Sequence, residues 1–383
     1  MRSGALTARA LNRALLARQG LLERWRRPLT EVVESIGAMQ AQHWPALPVG
    51  LWSRVSDFRA DDLYAALERR QLVAGTLLRG TLHLVSGGEH ARYAAVAEVA
   101  GADGWWPVEA KPPPEWEELR SDLLAFTAPA PRDRADLAAF VEAWVASRPG
   151  VLDEVALAHH RTYAWRPILR WSAFVRAPVD GRWGTRTPDG FLAAPCPPSA
   201  PSAPAREEAE AAVARSHLRA FGPAAAEDVA TWTGWSTPQA RSVIERLAPE
   251  LLRFEDEAGR TLYDLPGAPL PDPGVPAPVR FLPAFDSVQL AYAARRRQRF
   301  LPDAYRELVY VRANLQVLPA VLVDGMVAGT WSQRTTRREA TLSVRLFGPL
   351  ARPDREAVLE EAELLVRFSQ PAARAHAVEV GDG

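Results

Sequence analysis

Residues 206–265 limit the possible folds more than any other stretch. Three apolar patterns at helical spacing are followed there by two short strand patterns with a glycine between them. Residues 206–220 read as one helix. Pro223 opens a second with Ala226, Val229 and Ala230 inward. Thr233-Gly234 supplies a turn, and residues 237–247 form a third helix with Val243, Ile244 and Leu247 on one face. Residues 251–254 and 261–265 then pair as a hairpin with Gly259 at its tip. Helix, helix, turn, helix, hairpin is the order of a winged helix-turn-helix, a unit whose third helix can enter a DNA groove.

A similar order opens the chain. Residues 7–18 carry Leu11, Leu15 and Leu16 at helical spacing. A helix that Thr30 can cap, with Glu31 and Glu34 near its first turn, buries Val32, Val33, Ile36 and Met39. A third covers residues 61–70 with Leu63, Tyr64 and Leu67, and residues 77–85 turn to strand composition around Gly80. A second unit is predicted from a helix over 133–145, with Leu137, Phe140, Val141 and Trp144 on one face, and strands at 174–176 and 182–185. The proline-rich run 195–205 cannot form a helix or a central strand and reads as a linker. After a second proline-rich break, strands at 317–323 and 326–331 flank Asp324-Gly325. A strand at 340–346 follows, then a helix at 354–368 carrying Val358, Leu359, Leu365 and Val366. The fold class read from these patterns is α+β, with tandem winged units and a C-terminal β-rich domain with a packed helix. The boundaries fall at 1–110, 111–194, a linker 195–205, 206–266 and 275–383.

Composition removes several chemistries. Cys196 is the only cysteine, which excludes a disulfide framework and a thiolate zinc site within one chain. Lysines and arginines balance aspartates and glutamates at 46 each, so any nucleic-acid binding must come from local patches. Lys111 is the only lysine and lies in the run Lys111-Pro112-Pro113-Pro114, a poor place for a Schiff base. A P-loop, which needs GK[ST], is absent. No signal-like or membrane-spanning apolar run is present, which predicts a cytoplasmic protein.

The stretch Met39-Gln40-Ala41-Gln42-His43-Trp44-Pro45 places two glutamines on alternate residues before a proline. In a helix their side chains would point roughly 200° apart. In an extended backbone they point the same way. Pro45 disfavours helical dihedrals at Trp44, so the preceding helix is expected to fray here. Two amides converging on one small polar object is one reading of the pair. A solvated helix end that happens to carry two glutamines is the other.

Five blocks carry a resemblance: residues 36–42, residues 78–85, the winged unit through Leu247, Phe281-Leu282-Pro283-Ala284-Phe285-Asp286, and Val327-Ala328-Gly329-Thr330-Trp331. Their order resembles the winged-helix DNA-binding family of AlkZ and YcaQ, bacterial DNA glycosylases that remove bulky N7-alkylated purines and unhook interstrand crosslinks. The resemblance covers nearly the whole chain. It implies three winged units and a β-rich domain arranged around duplex DNA, with catalytic residues in a Gln-apolar-Gln or Gln-apolar-Asp motif. That motif falls on Gln40, Ala41 and Gln42 and resembles the AlkZ branch. Two departures are Ala284, where a polar residue is expected, and the dense basic run Arg295-Arg296-Arg297.

On this reading the protein is a monofunctional glycosylase acting as a monomer on duplex DNA, leaving an abasic site, with no metal and no cofactor. Gln40 and Gln42 are the catalytic candidates. His43, Arg24, Arg26, Arg27, Arg334, Arg337 and Arg338 are the candidate DNA contacts, with solvated charge as the alternative for each arginine cluster. An exposed loop histidine is the alternative for His43, His83 reads as a structural histidine, His159-His160 as a pair that cannot easily share a metal, and Asp286 as a turn cap in preference to a group that assists catalysis. The alternative from another class is a non-catalytic winged-helix DNA-binding protein or regulator, which would read base edges at a few promoters.

Overall fold

The computed structural model describes residues 5–97 in full, 98–101 in backbone only, and residues 113, 115–166, 170–197, 200, 202–336 and 338–382. The chain forms two compact units, Met1–Leu63 with Ala214–Gly383, and Tyr64–Val213. Lys111 and Arg337 lie outside the described residues.

The first unit begins with the helix Ala8–Arg18. Thr7 caps it by accepting from the Ala10 amide at 3.1 Å. Leu11, Leu15 and Leu16 are buried as their spacing predicts. Asn12 is buried beside them, and its amide donates to the carbonyls of Arg299 and Gly325, each at 2.8 Å. That contact explains the Asp324-Gly325 turn, whose two residues have φ of 44° and 78°. A Cβ at Gly325 would stand 2.5 Å from Asn12 Oδ1 and Leu16 Cδ1. The next helix, Leu29–Ile36, starts from Pro28 with no side-chain cap, so Thr30 lies inside the helix and does not cap it. It ends at Gly37, eight residues before Pro45. A further helix, Ala46–Trp52, follows Pro45 directly and has no counterpart in the sequence reading, because Pro48 and Gly50 mask its pattern.

The winged arrangement of residues 206–265 is present. The helices are Arg206–Phe221, Ala226–Thr233 and Thr237–Leu247, and the hairpin strands are Leu252–Glu255 and Thr261–Asp264. Gly234 at φ 85° ends the second helix, and Ser236 caps the third by accepting from the Gln239 amide. Pro223 precedes the second helix and does not open it. The start is set by Asp228, whose carboxylate accepts from the Ala225 amide at 3.0 Å.

Five strands form the C-terminal sheet, in the order Ala375–Asp382, Glu339–Leu346, Met326–Thr335, Ala320–Val323, Arg280–Leu282. The first two are parallel and the rest antiparallel. The helix Arg352–Ser369 makes the crossover that a parallel pair requires, burying Val358, Ala362, Leu365 and Val366.

In the second unit the strands Leu82–Ser86, Leu72–Thr76, Phe174–Ala177 and Gly190–Ala193 lie side by side. The partner of Phe174–Ala177 is Gly190–Ala193, so the strand expected at 182–185 is part of the connecting loop. Helices Trp116–Thr127, Arg134–Ala146 and Glu154–Thr162 pack on a core containing Trp116, Trp144, Trp165 and Trp171. His160 stacks on Trp116 and Trp165, with ring centroids at 5.8 and 5.3 Å. No helix among the described residues is long and apolar enough to cross a membrane.

Candidate active site

The glutamine motif leaves its helix at Gly37, where φ is 76°. Only glycine adopts that backbone without strain, and a side chain there would be crowded. A Cβ at Gly37 would stand 3.3 Å from Phe221 Cε2 and Trp232 Cζ2 and 3.4 Å from Ala220 Cβ. Met39 and Gln40 are extended, and the backbone bends at Gln42 and His43 before the next helix. Met39 and Ala41 are buried, whereas Gln40 is half-buried and Gln42 is exposed. The strand is Met39–Gln40 and Gln42 stands at the bend beyond it, so the segment is extended rather than a helix end, with Gln40 Oε1 itself buried and Gln42 exposed. Met39 is seated over Gly50, where a Cβ would come within 2.9 Å of its Cε.

Gly37→Ala therefore combines left-handed backbone strain with crowding against two rings. It is expected to destabilise the fold by about 2 kcal/mol and to slow any reaction that depends on the motif. Urea unfolding followed by tryptophan fluorescence measures the first effect. An unchanged midpoint would show that the helix end tolerates a side chain.

A polar frame surrounds the segment behind the motif. Arg54 is fully buried and forms a two-pronged ion pair with Asp286 at 2.8 and 2.9 Å. Asp286 also caps the short helix Ser287–Leu290 by accepting from the Val288 amide at 3.0 Å, which matches its expected role at a turn. The preceding Phe285 has φ 57°, so the block at 281–286 turns sharply just before this pair. The pairing of Arg54 with Asp286 bridges 232 residues and leaves no local pattern in the sequence.

The candidate DNA contacts differ in what already holds them. His43, Arg27, Arg334 and Arg338 are exposed. Arg27 lies over the Trp25 ring at 3.8 Å, and Arg26 pairs with Asp57 at 3.1 Å with both side chains 78% exposed. Arg334 is the penultimate residue of the strand Met326–Thr335, and Arg338 stands in the turn that follows. Arg24 is engaged within the unit: it stacks on Trp52 at 4.4 Å, donates to the Trp52 carbonyl and pairs with Glu361 at 2.5 Å.

In the second unit, His83 is buried with both ring nitrogens used. Arg79 can only donate, so Nε2 accepts from it at 3.2 Å and Nδ1–H donates to the Thr81 carbonyl at 2.8 Å. Burial and the Arg79 charge push its pKa down to about 3, so the imidazole is neutral. His83 thus has the structural character expected of it. Among the described residues, no group of three or more His, Cys, Asp or Glu side chains is placed to hold a metal ion.

Two comparisons bear on this arrangement. The family described as DNA glycosylase AlkZ-like matches residues 33–368. The fold is similar to that of the Streptomyces sahachiroi DNA glycosylase AlkZ, with a TM-score of 0.77 and 21% identity over 98% of this chain and 100% of that one. No curated protein sequence matches the chain. The match spans the glutamine motif, the winged unit and most of the C-terminal domain, and the chain belongs to the AlkZ-like DNA glycosylase family.

Proposed function

We propose that this glycosylase hydrolyses the N-glycosidic bond of N7-alkylated purines in duplex DNA, with Gln40 and Gln42 holding the attacking water. The observation that carries the reading is the burial alternation along the extended segment 39–42, where Met39 and Ala41 are buried, Gln40 is half-buried and Gln42 is exposed at the following bend. Glycoside hydrolysis normally calls for a carboxylate to activate water and an acid to protonate the leaving group, and glutamine does neither. An N7-alkylpurine already carries a positive charge. When its bond to the sugar breaks, the electron pair neutralises the base, which leaves without an acid. Water then adds to the oxocarbenium-like carbon and releases its proton to solvent. Two amide oxygens accepting that water's hydrogens fix its position, and preorganised dipoles of this kind lower a barrier by several kcal/mol, on the order of one oxyanion-hole group. The product is an abasic site in an uncut strand.

The partner in this reading is duplex DNA, bound by a single copy of the chain. Arg26, Arg27, Arg334, Arg338 and His43 would contact its phosphates, which position the duplex without reading sequence. Crosslinks made through purine N7 present the same cationic bond and fall within the same chemistry.

The test is base release from duplexes carrying N7-methylguanine or a neutral lesion such as uracil. Release of the cationic base is expected to be more than about tenfold faster, since a neutral base needs the proton that no glutamine can supply. Equal rates on the two, or no release from any cationic adduct, would overturn the proposal.

A further inference from the structure

We propose that Gln19 and Ser287 are positioning residues for the glutamine motif, gripping the backbone on either side of Gly37 under the control of the Arg54–Asp286 pair. This rests on Gln40 and Gln42 acting on water as proposed above. A helix end leaves carbonyls without intrahelical donors. Here the carbonyls nearest the break are taken by side chains. Gln19 Nε2 donates to Ile36 O at 3.2 Å and to Ala220 O at 3.0 Å, and Ser287 Oγ donates to Ala38 O at 3.4 Å. The two grips lie one residue before and one residue after Gly37, so together they set the direction in which Met39 and Gln40 leave.

The orientation of both donors is imposed by one ion pair. Arg54 donates to Gln19 Oε1 at 3.2 Å, which turns the Gln19 amide nitrogen towards the two carbonyls. Arg54 also holds Asp286, and Asp286 caps the helix that presents Ser287. Its remaining contact, to Gly50 O at 2.9 Å, fixes the residue on which Met39 rests. Gln19, Arg54, Asp286 and Ser287 are all buried. A buried ion pair is a weak source of stability, because desolvation offsets its attraction. A geometric role accounts better for four buried polar side chains that converge on one backbone turn. A misplacement of about 1 Å costs roughly 10²-fold in rate where reacting groups must be aligned.

The experiment measures single-turnover release of N7-methylguanine and affinity for the same duplex, using Gln19→Leu, Gln19→Glu and Ser287→Ala. Each variant is made alone and in a Gln40→Ala background, and stoichiometric DNA titration gives the folded fraction. Gln19→Glu keeps the acceptor for Arg54 but cannot donate to Ile36 or Ala220, so it should behave like Gln19→Leu. Both are expected to slow release by about tenfold, and Ser287→Ala by about threefold, with affinity held within about twofold. In the Gln40→Ala background the same changes should have a clearly smaller effect, because they act through a side chain already removed. An equal loss in both backgrounds, or an unchanged rate in folded Gln19 variants, would overturn the positioning role while leaving the catalytic reading intact. Full activity of Gln40→Ala alone would instead bring down that reading, and this proposal with it.

Discussion

Replacing Gln40 or Gln42 with alanine is expected to slow release of N7-methylguanine by about 10²- to 10³-fold, the usual effect of removing one preorganised dipole from a transition state. Affinity for the duplex should barely change if, as proposed, arginine contacts to phosphate carry most of the binding, since neither glutamine is charged. The loss belongs in the rate constant of the bound complex and not in KM, since the water is held most tightly as the sugar becomes cationic. The double variant should be scarcely slower than either single one if both amides act on one water, because residues that work as a unit are not additive. Gln42→Asn keeps the amide but withdraws it by one methylene, and should fall between wild type and alanine. Full activity in both alanine variants would exclude the motif from catalysis. A parallel fall in affinity would assign it to DNA contact.

How much of this could be read from the chain alone depends on the range of the interactions. The winged unit at 206–265 was legible because its signals are local: Gly234 ends one helix, Ser236 caps the next, and Gly259 turns the hairpin. The Asp324-Gly325 turn was legible for the same reason. At the motif, alternate spacing before a proline indicates an extended backbone, but the residue that breaks the helix is not the one the spacing suggests. Pro45 is the conspicuous breaker, whereas Gly37 ends the helix, and only packing by Phe221 and Trp232 reveals why it must be glycine. The helix Ala46–Trp52 and the parallel strand Ala375–Asp382 have no counterpart in the sequence pattern. The first is interrupted by a proline and a glycine, and the second depends on a neighbour across a crossover. Arg24 shows the limit most clearly. Its sequence neighbourhood looks like that of Arg26 and Arg27, yet its charge is taken by Glu361, 337 residues away.

Acid should open Tyr64–Val213 before the other unit, because it holds three of the four buried histidines found among the described residues. Burial lowers the pKa of His83 to about 3 and of His90 to about 4. His160 falls to about 4 through burial and the neighbouring His159. The first unit has only His217, lowered to about 4 by burial despite its contact with the Ala291 carbonyl. In an unfolded chain an imidazole protonates near pH 6.5. Below that pH the unfolded state binds protons that the folded state refuses, so stability falls as pH drops and goes on falling until the folded pKa is passed. At pH 5 the cost is about 2 kcal/mol each for His83 and His90, with His160 adding in the same direction. Carboxylates held low by arginine partners, such as Glu142 beside Arg161, contribute only below about pH 4.5. The window from about pH 6.5 to 4.5 therefore separates the imidazoles from these carboxylates, while Asp228 of the first unit, raised by burial, shifts that unit the other way by favouring its protonated folded form as pH falls. Hydrogen exchange across it should show amides of residues 64–213 losing protection first, and His90→Gln should shift that loss to lower pH. Simultaneous opening of both units, or exchange that ignores pH in this window, would show that these histidines are not what limits the fold in acid.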